Sequence, residues 1–235
     1  MAQDGAEAAK QAAGEAAAAL VEDGMLLGLG TGTTVRYLVD ALGRRVREEG
    51  LRITGVPTSV ATATQATALG IPLADPEHPI DLAIDGADEV ERGTLRLIKG
   101  LGGALLREKI VAQLARRFVV VADSAKVVTL LGERAPLPVE VTRFGLAATT
   151  RRVAEAGGQP VLRPGKDGEP FVTDGGNLIL DCAGFAPIAD PFTLGRTLRA
   201  IAGVIETGLF LEIATEALIA HPDGRIETLR ASAQQ

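Results

Sequence analysis

The chain has 235 residues, 46% of them hydrophobic, enough for one large domain, or for a domain with a smaller companion, and a sizeable core. Aromatic residues make up only 3%, with no tryptophan, so the core is built from Ala, Val, Leu and Ile and offers no stacking platform for single-stranded nucleic acid. A net charge of −6 disfavours binding to a phosphate backbone, yet leaves room for an anionic metabolite held by local lysines and amides.

Residues Ala6 to Glu22 are rich in Ala with Lys and Glu interspersed, which predicts a helix ended by Gly24. The N-terminal stretch is interrupted by charges and lacks the apolar core of a signal peptide. No later run approaches the length of a membrane span. The expectation is a soluble, cytoplasmic protein that binds neither membrane nor nucleic acid.

A short buried strand over Met25 to Leu27 leads into Gly28-Leu29-Gly30-Thr31-Gly32-Thr33-Thr34, and Val35 to Leu42 has helical spacing. The amides of such a loop and the following helix N-terminus make an anion site, and threonine hydroxyls add donors. The spacing is GxGxG, with Thr33 where a dinucleotide loop has its third glycine, and no P-loop lysine follows. A plain tight turn and a phosphate cradle both fit.

Arg52 to Pro57 reads as a strand, and Ser59 as the cap of a helix over Val60 to Leu69. Ile80 to Ile84 is the next strand, with Asp85-Gly86-Ala87-Asp88 just past its end. Leu95 to Ile98 is an apolar run followed by Lys99-Gly100-Leu101-Gly102-Gly103 and a helix over Ala104 to Arg116 that carries Glu108. Phe118 to Ala122 is a continuous buried strand whose end presents Asp123, Ser124 and Lys126. Strands alternating with helices predict βαβ units in a doubly wound, mainly parallel, Rossmann-like sheet, with the site beyond the strands' carboxyl ends.

From Leu131 the texture changes. Strands over Pro136 to Val141, Gln159 to Leu162, Phe171 to Thr173 and Asn177 to Asp181, with helices over Phe144 to Ala156 and Pro191 to Ala200, predict a small inserted α+β domain. Its expected span is 131–203, between the α/β catalytic domain's two parts, 1–130 and 204–235. Val204 to Phe210 reads as strand, and Asp223-Gly224 as a hairpin turn between Ala217 to Ala220 and Arg225 to Leu229. The polar tip Ala231 to Gln235 is expected to fray.

Asp85, Asp88, Lys99 and Glu108 stand among glycines and strand residues, where unpaired charge is costly. A carboxylate base with a cation nearby suits enolisation of a phosphosugar. Glu108 is the base candidate, since a helix fixes it; a solvated helix position is the competing reading. Asp85 and Asp88 fit a Mg²⁺ site, metal-free acid/base work or, for Asp85, a turn cap. Lone Cys182 permits neither an intrachain disulfide nor a cysteine metal cluster, and reads as apolar packing. His78 and His221 lack metal-ligand spacing, and no nucleophile elbow is present.

GLGTGTT, PTS at Pro57 to Ser59, DGADEV at Asp85 to Val90, KGLGGALLREKI from Lys99, ADSAK ending at Lys126, PLPVEV, DGGNLILD and GLF at Gly208 to Phe210 occur in this order. Together they resemble the type A ribose-5-phosphate isomerases over nearly the whole chain. The resemblance implies interconversion of ribose 5-phosphate and ribulose 5-phosphate through a cis-enediolate in the pentose phosphate pathway, with no cofactor and no metal. It implies Glu108 as the base, Asp85 assisting ring opening, and Asp88 and Lys99 holding hydroxyls and the enediolate. Gly86, Ala87 and the backbone of Gly100, Leu101 and Gly102 would complete the sugar site. Thr31, Gly32, Thr33 and Thr34 would bind the phosphate with Lys126 and Lys10. A homodimer or homotetramer is implied, with the small domain as the contact. Thr33 stands where serine is common and Leu101 where some members have glycine; the hydroxyl and the flanking glycines survive. The rivals are a sugar-phosphate sensor and an aminosugar-phosphate deaminase, which share the fold.

Overall fold

The computed structural model describes residues 2–231, so most of the polar tip expected to fray lies outside the described residues. In chain order the elements are α1 (Ala2–Ala18), β1 (Leu26–Leu29), α2 (Thr33–Glu49), β2 (Thr54–Pro57), α3 (Val60–Ala68), β3 (Leu82–Gly86), β4 (Glu89–Glu91) and β5 (Leu97–Ile98). Then come α4 (Leu105–Leu114), β6 (Phe118–Asp123), a 3-10 turn at Ser124–Lys126, β7 (Val127–Val128), β8 (Leu137–Val141), α5 (Leu146–Glu155), β9 (Gln159–Leu162) and β10 (Leu178–Ala183). The chain finishes with α6 (Pro191–Arg199), β11 (Val204–Thr207), β12 (Leu209–Phe210), β13 (Glu216–Ala220) and β14 (Ile226–Arg230).

The main sheet has the order β14-β13-β6-β3-β1-β2 and is parallel except for the terminal β13–β14 hairpin. Alternation along its strands divides the core. Leu82, Ile84, Val119, Val121 and Leu218 pack with α1 and α2 on one face. Ala83, Phe118, Val120, Ala122, Ala217 and Ile219 pack with Val111 and Ala112 of α4 on the other. Both faces are covered by helices, which is the doubly wound arrangement. This explains the unbroken apolar run of β6: a strand buried on both sides cannot alternate with polar residues.

Capping chemistry sets several boundaries. Ser59 accepts from Thr62 N–H at 3.2 Å and starts α3, as expected. Gly50, in the left-handed region at φ 72°, ends α2 well beyond the stretch read as helical. Helix α1 stops at Ala18, short of the expected Glu22, because the amides of Leu20 and Val21 turn to the i−3 carbonyls of Ala17 and Ala18.

Two smaller sheets complete the fold. An antiparallel one, β11-β8-β10-β9, carries its own core of Val139, Val141, Leu178, Leu180 and Val153. Its β11 pairs with β8, so the chain leaves this sheet after Thr207 rather than at residue 204. Phe171 to Thr173 contributes only an isolated bridge, Val172 to Leu178, instead of a strand. The third sheet, β12-β5-β4-β7, was not foreseen; its strands of two or three residues are too short for any period to register.

The two systems meet at Gly208, between β11 and β12. Its N–H donates to Pro138 O at 2.7 Å, and its own carbonyl accepts from Lys99 N–H at 2.9 Å. A side chain there would lie 2.2 Å from Lys99 O, so only glycine permits the approach. Lys109 of α4 adds a second tie, reaching Glu206 at 2.9 Å and Thr207 O at 2.7 Å.

Among the described residues no helix is long and apolar enough to cross a membrane. Cys182 is buried in the second core, and burial pushes its thiol up to about 12, in keeping with an apolar packing role.

Candidate active site

Strand β1 is flanked by β2 on one side and β3 on the other, so the chain reverses its direction of winding between β1 and β3. Crevices form at such switch points beyond the strands' carboxyl ends. There a cleft of about 660 Å³ opens between the β1–α2 loop, the ends of β3 and β6, and the glycine run after β5.

Glycines admit the close approaches. At Gly30 a side chain would lie 2.2 Å from Asp85 Oδ1, so its absence lets the loop close over the end of β3. The amides of Thr31 and Gly86 then donate to Asp85 Oδ1 at 2.9 and 2.7 Å. Thr31 Oγ1 lies 2.7 Å from Thr58 Oγ1, which pins the loop from the start of α3. Helix α2 begins after Gly32, at φ 124°, with no side-chain cap. Its first amides lack intrahelical acceptors and, with Thr31 to Thr34, line the cleft. A helix N-terminus left open in this way suits an anion.

Asp85 lies inside β3, paired with Val120, rather than past the strand's end. It is 3% exposed. Lys99 follows β5; its Nζ donates to Gly86 O at 2.5 Å and lies 3.0 Å from Asp85 Oδ2. Glu108 sits in the first turn of α4, 4% exposed, with Oε2 3.4 Å from the same Nζ and without a hydrogen bond. Its competing reading as a solvated helix residue is therefore excluded. Asp88 Oδ2 accepts from Leu101 N–H at 2.9 Å and ties the glycine run to the β3 end.

One lysine thus stands between two buried carboxylates. Burial lowers the Lys99 pKa, but Asp85 and Glu108 more than reverse this and hold it above the ordinary lysine value. Burial, and then the Asp85 charge, drive Glu108 up from 4.5 to about 8 against the pull of Lys99. Burial also raises Asp85, against Lys99 and the two amides. The product is a carboxyl group that changes protonation near neutral pH beside a permanent cation, as a general base requires.

Lys10, Thr31, Gly32, Thr33, Thr34, Gly86, Ala87, Asp88, Lys99, Gly100, Leu101, Gly102, Glu108 and Lys126 all line the cleft. Asp85 does not; it lies behind the wall, reached through Lys99. Lys126 is half-buried in the 3-10 turn, which Asp123 caps through Ala125 N–H at 3.0 Å. Among the described residues no group of three or more His, Cys, Asp or Glu side chains is arranged as a metal site.

Sequence reasoning missed Arg134, which lines the same rim, and Glu89, which puts it there. Glu89 is fully buried and accepts from the amides of Gly132 and Arg134 at 2.6 Å each and of Ala135 at 2.8 Å. Glu89 was visible inside DGADEV, but its partners lie over forty residues on, and nothing local announces them. Arg163, whose guanidinium reaches the Gly100 and Leu101 carbonyls, gave no local signal either.

The family described as Ribose 5-phosphate isomerase A (phosphoriboisomerase A) matches residues 54–224. A Ribose-5-phosphate isomerase A of Synechococcus sp. (strain JA-3-3Ab) is 54% identical over 97% of this chain and 99% of its own. The solved ribose 5-phosphate isomerase A of Methanocaldococcus jannaschii superposes with a TM-score of 0.89 at 42% identity, covering 94% of this chain and 98% of that one. A further D-ribose-5-phosphate isomerase structure, in complex with phospho-erythronic acid, gives 0.90 at 37% identity over 94% and 97% of the two chains. With a family match across most of the chain and relatives sharing half of its residues, the protein belongs to the ribose 5-phosphate isomerase A family.

Proposed function

We propose that this cleft interconverts ribose 5-phosphate and ribulose 5-phosphate through a cis-enediolate, as part of the pentose phosphate pathway. Family membership supports the reaction. The assignment of residues is carried by one observation: the buried Glu108 Oε2 has no hydrogen bond and faces a cleft that also holds a cation and an open helix N-terminus.

In this reading the phosphate sits on Thr31 to Thr34 and the first amides of α2, with Lys126 and Lys10 balancing its charge. The sugar then extends toward Lys99. Glu108 takes the proton from C2 of the open-chain aldose and returns it to C1, the O2 hydroxyl proton passes to O1 across the cis-enediolate, and Lys99 and the amides of the glycine run stabilise the oxygen that becomes negative. Asp88 holds a hydroxyl. Asp85, behind Lys99, keeps that cation charged, and the pair relays the anomeric hydroxyl proton to the ring oxygen during ring opening. No step is assigned to a metal or an organic cofactor, because Lys99 supplies the positive charge.

A cytoplasmic homodimer or homotetramer belongs to the same reading, with the inserted α+β domain as the contact. Its support is that the two most exposed large apolar residues among those described, Phe144 and Val161, lie in that domain. Sedimentation of Phe144→Ser tests the contact.

The proton path is tested by isomerisation in D₂O. Wild-type protein should wash solvent deuterium into C2 of ribose 5-phosphate, read by proton NMR, and Glu108→Gln should not. Exchange in the variant at the wild-type rate would remove Glu108 from the role of base.

A further inference from the structure

Arg163 follows β9 in the second layer and is 8% exposed. Its Nε and Nη2 grip the Asp181 carboxylate, at 2.9 and 2.5 Å. Its Nη1 donates to two carbonyls of the glycine run, Gly100 O at 2.9 Å and Leu101 O at 3.0 Å. Four of the five N–H bonds of a guanidinium are thereby used. Arg163 also lies 5.7 Å from the centroid of the Phe171 ring, and that ring occupies the space where a side chain on Gly103 would stand, 2.4 Å away. The residue therefore reaches across from one layer to hold the floor of a cleft in the other, and a buried cation is not spent on a surface loop without consequence.

In a trans peptide the carbonyl and the N–H of one plane point in opposite directions. Drawing Gly100 O toward Arg163 sends Leu101 N–H the other way, where it meets Asp88 Oδ2 on the cleft wall at 2.9 Å. The same geometry applied to Leu101 O directs Gly102 N–H at the cleft that Gly102 lines. We propose that Arg163, oriented by Asp181, is a positioning residue for the isomerisation: it fixes two successive peptide planes so that their N–H groups face the enediolate oxygens and the Asp88 carboxylate. This inference rests on the reading of the cleft given above.

Positioning of this kind acts on the transition state rather than on ground-state binding, because the phosphate grip lies elsewhere. Lysine retains the charge but has no fork with which to hold a carboxylate and two carbonyls together. For Arg163→Lys and Arg163→Ala that keep the wild-type circular dichroism spectrum and oligomeric state, kcat should fall at least tenfold, with KM for ribose 5-phosphate within threefold. Added millimolar guanidinium should restore part of kcat to Arg163→Ala, and methylammonium at equal concentration should not.

Unchanged kcat in either folded variant would overturn the proposal. So would a loss confined to KM, or a loss that guanidinium fails to reverse while Asp181→Asn keeps full activity. A wild-type protein that forms no ribulose 5-phosphate would instead sink the reading of the site. Active wild type with indifferent Arg163 variants sinks only the positioning role.

Discussion

Replacing Glu108 by Gln should leave stability unchanged at pH 5 and raise it increasingly as pH climbs toward 9. In the unfolded chain Glu108 gives up its proton at about 4.5; in the folded chain burial and Asp85 delay this to about 8. Between those values the folded state binds more protons than the unfolded one, so stability falls with rising pH. The contribution of the protonated, buried carboxyl is fully present below pH 4.5 and lost as pH passes through about 8. At about 1.4 kcal/mol per pH unit the interval sets an upper bound of roughly 5 kcal/mol, and relaxation of Lys99 toward an ionised Glu108 brings the expectation to roughly 2–4 kcal/mol. Gln does not titrate and nearly preserves shape. Urea unfolding of both proteins at pH 5 and pH 9, at one protomer concentration, measures the difference; titrating groups remote from Glu108 are common to both and cancel, leaving Glu108 with its coupled partners Asp85 and Lys99. The variant should match wild type at pH 5 and exceed it at pH 9, with unchanged denaturant slope. A difference equal at the two pH values within about 0.5 kcal/mol refutes the raised pKa.

If Glu108 is the base proposed above, the same titration governs catalysis. Since the base must be ionised, kcat/KM should rise with pH and level off above about 8, and a pH–rate profile flat between 6 and 9 would exclude Glu108 from that limb. Lys99→Met leaves two buried carboxylates 3.0 and 3.4 Å from the lost charge; it should cost roughly 3–5 kcal/mol at pH 8 and less at pH 5, read by urea unfolding, and abolish turnover. Glu89→Gln sets an amide donor against a backbone N–H in a fully buried site, and should lower stability by roughly 2–3 kcal/mol in thermal or urea melts. Ribulose 5-phosphate formation should persist after dialysis against a chelator, and its loss would return Asp85 and Asp88 to the metal reading.

What the sequence made legible was local. The glycine–threonine loop, the Asp85 to Asp88 run and the Lys99 to Glu108 segment each declare themselves because a loop, a strand end and a helix turn are settled within a dozen residues. The two-sided burial of β6 was legible for the same reason. The end of β3 was misplaced by two residues, at Ile84 instead of Gly86, which left Asp85 outside the strand, since a strand's end is fixed by its neighbours' register and not by its own composition. The unforeseen contacts are all distant ones. Val204 to Phe210 reads as one strand but serves two sheets, and only the position of Pro138 and Lys99 on either side decides where it divides. Arg163, between Leu162 and Pro164, looks like an ordinary surface arginine until Asp181 and the Gly100 carbonyl are placed beside it.

The division at Gly208 has a bearing on how the protein comes to life after synthesis. The backbone of Lys99 is bonded to Gly208, and Gly208 is bonded to the strand that begins the inserted layer. The lysine therefore cannot take its final place until a segment made more than a hundred residues later has arrived. The Thr31 loop, by contrast, is held by Thr58 and Asp85, both supplied within the first ninety residues. Hydrogen exchange at the Lys99 amide should accordingly follow sub-global opening rather than local fraying.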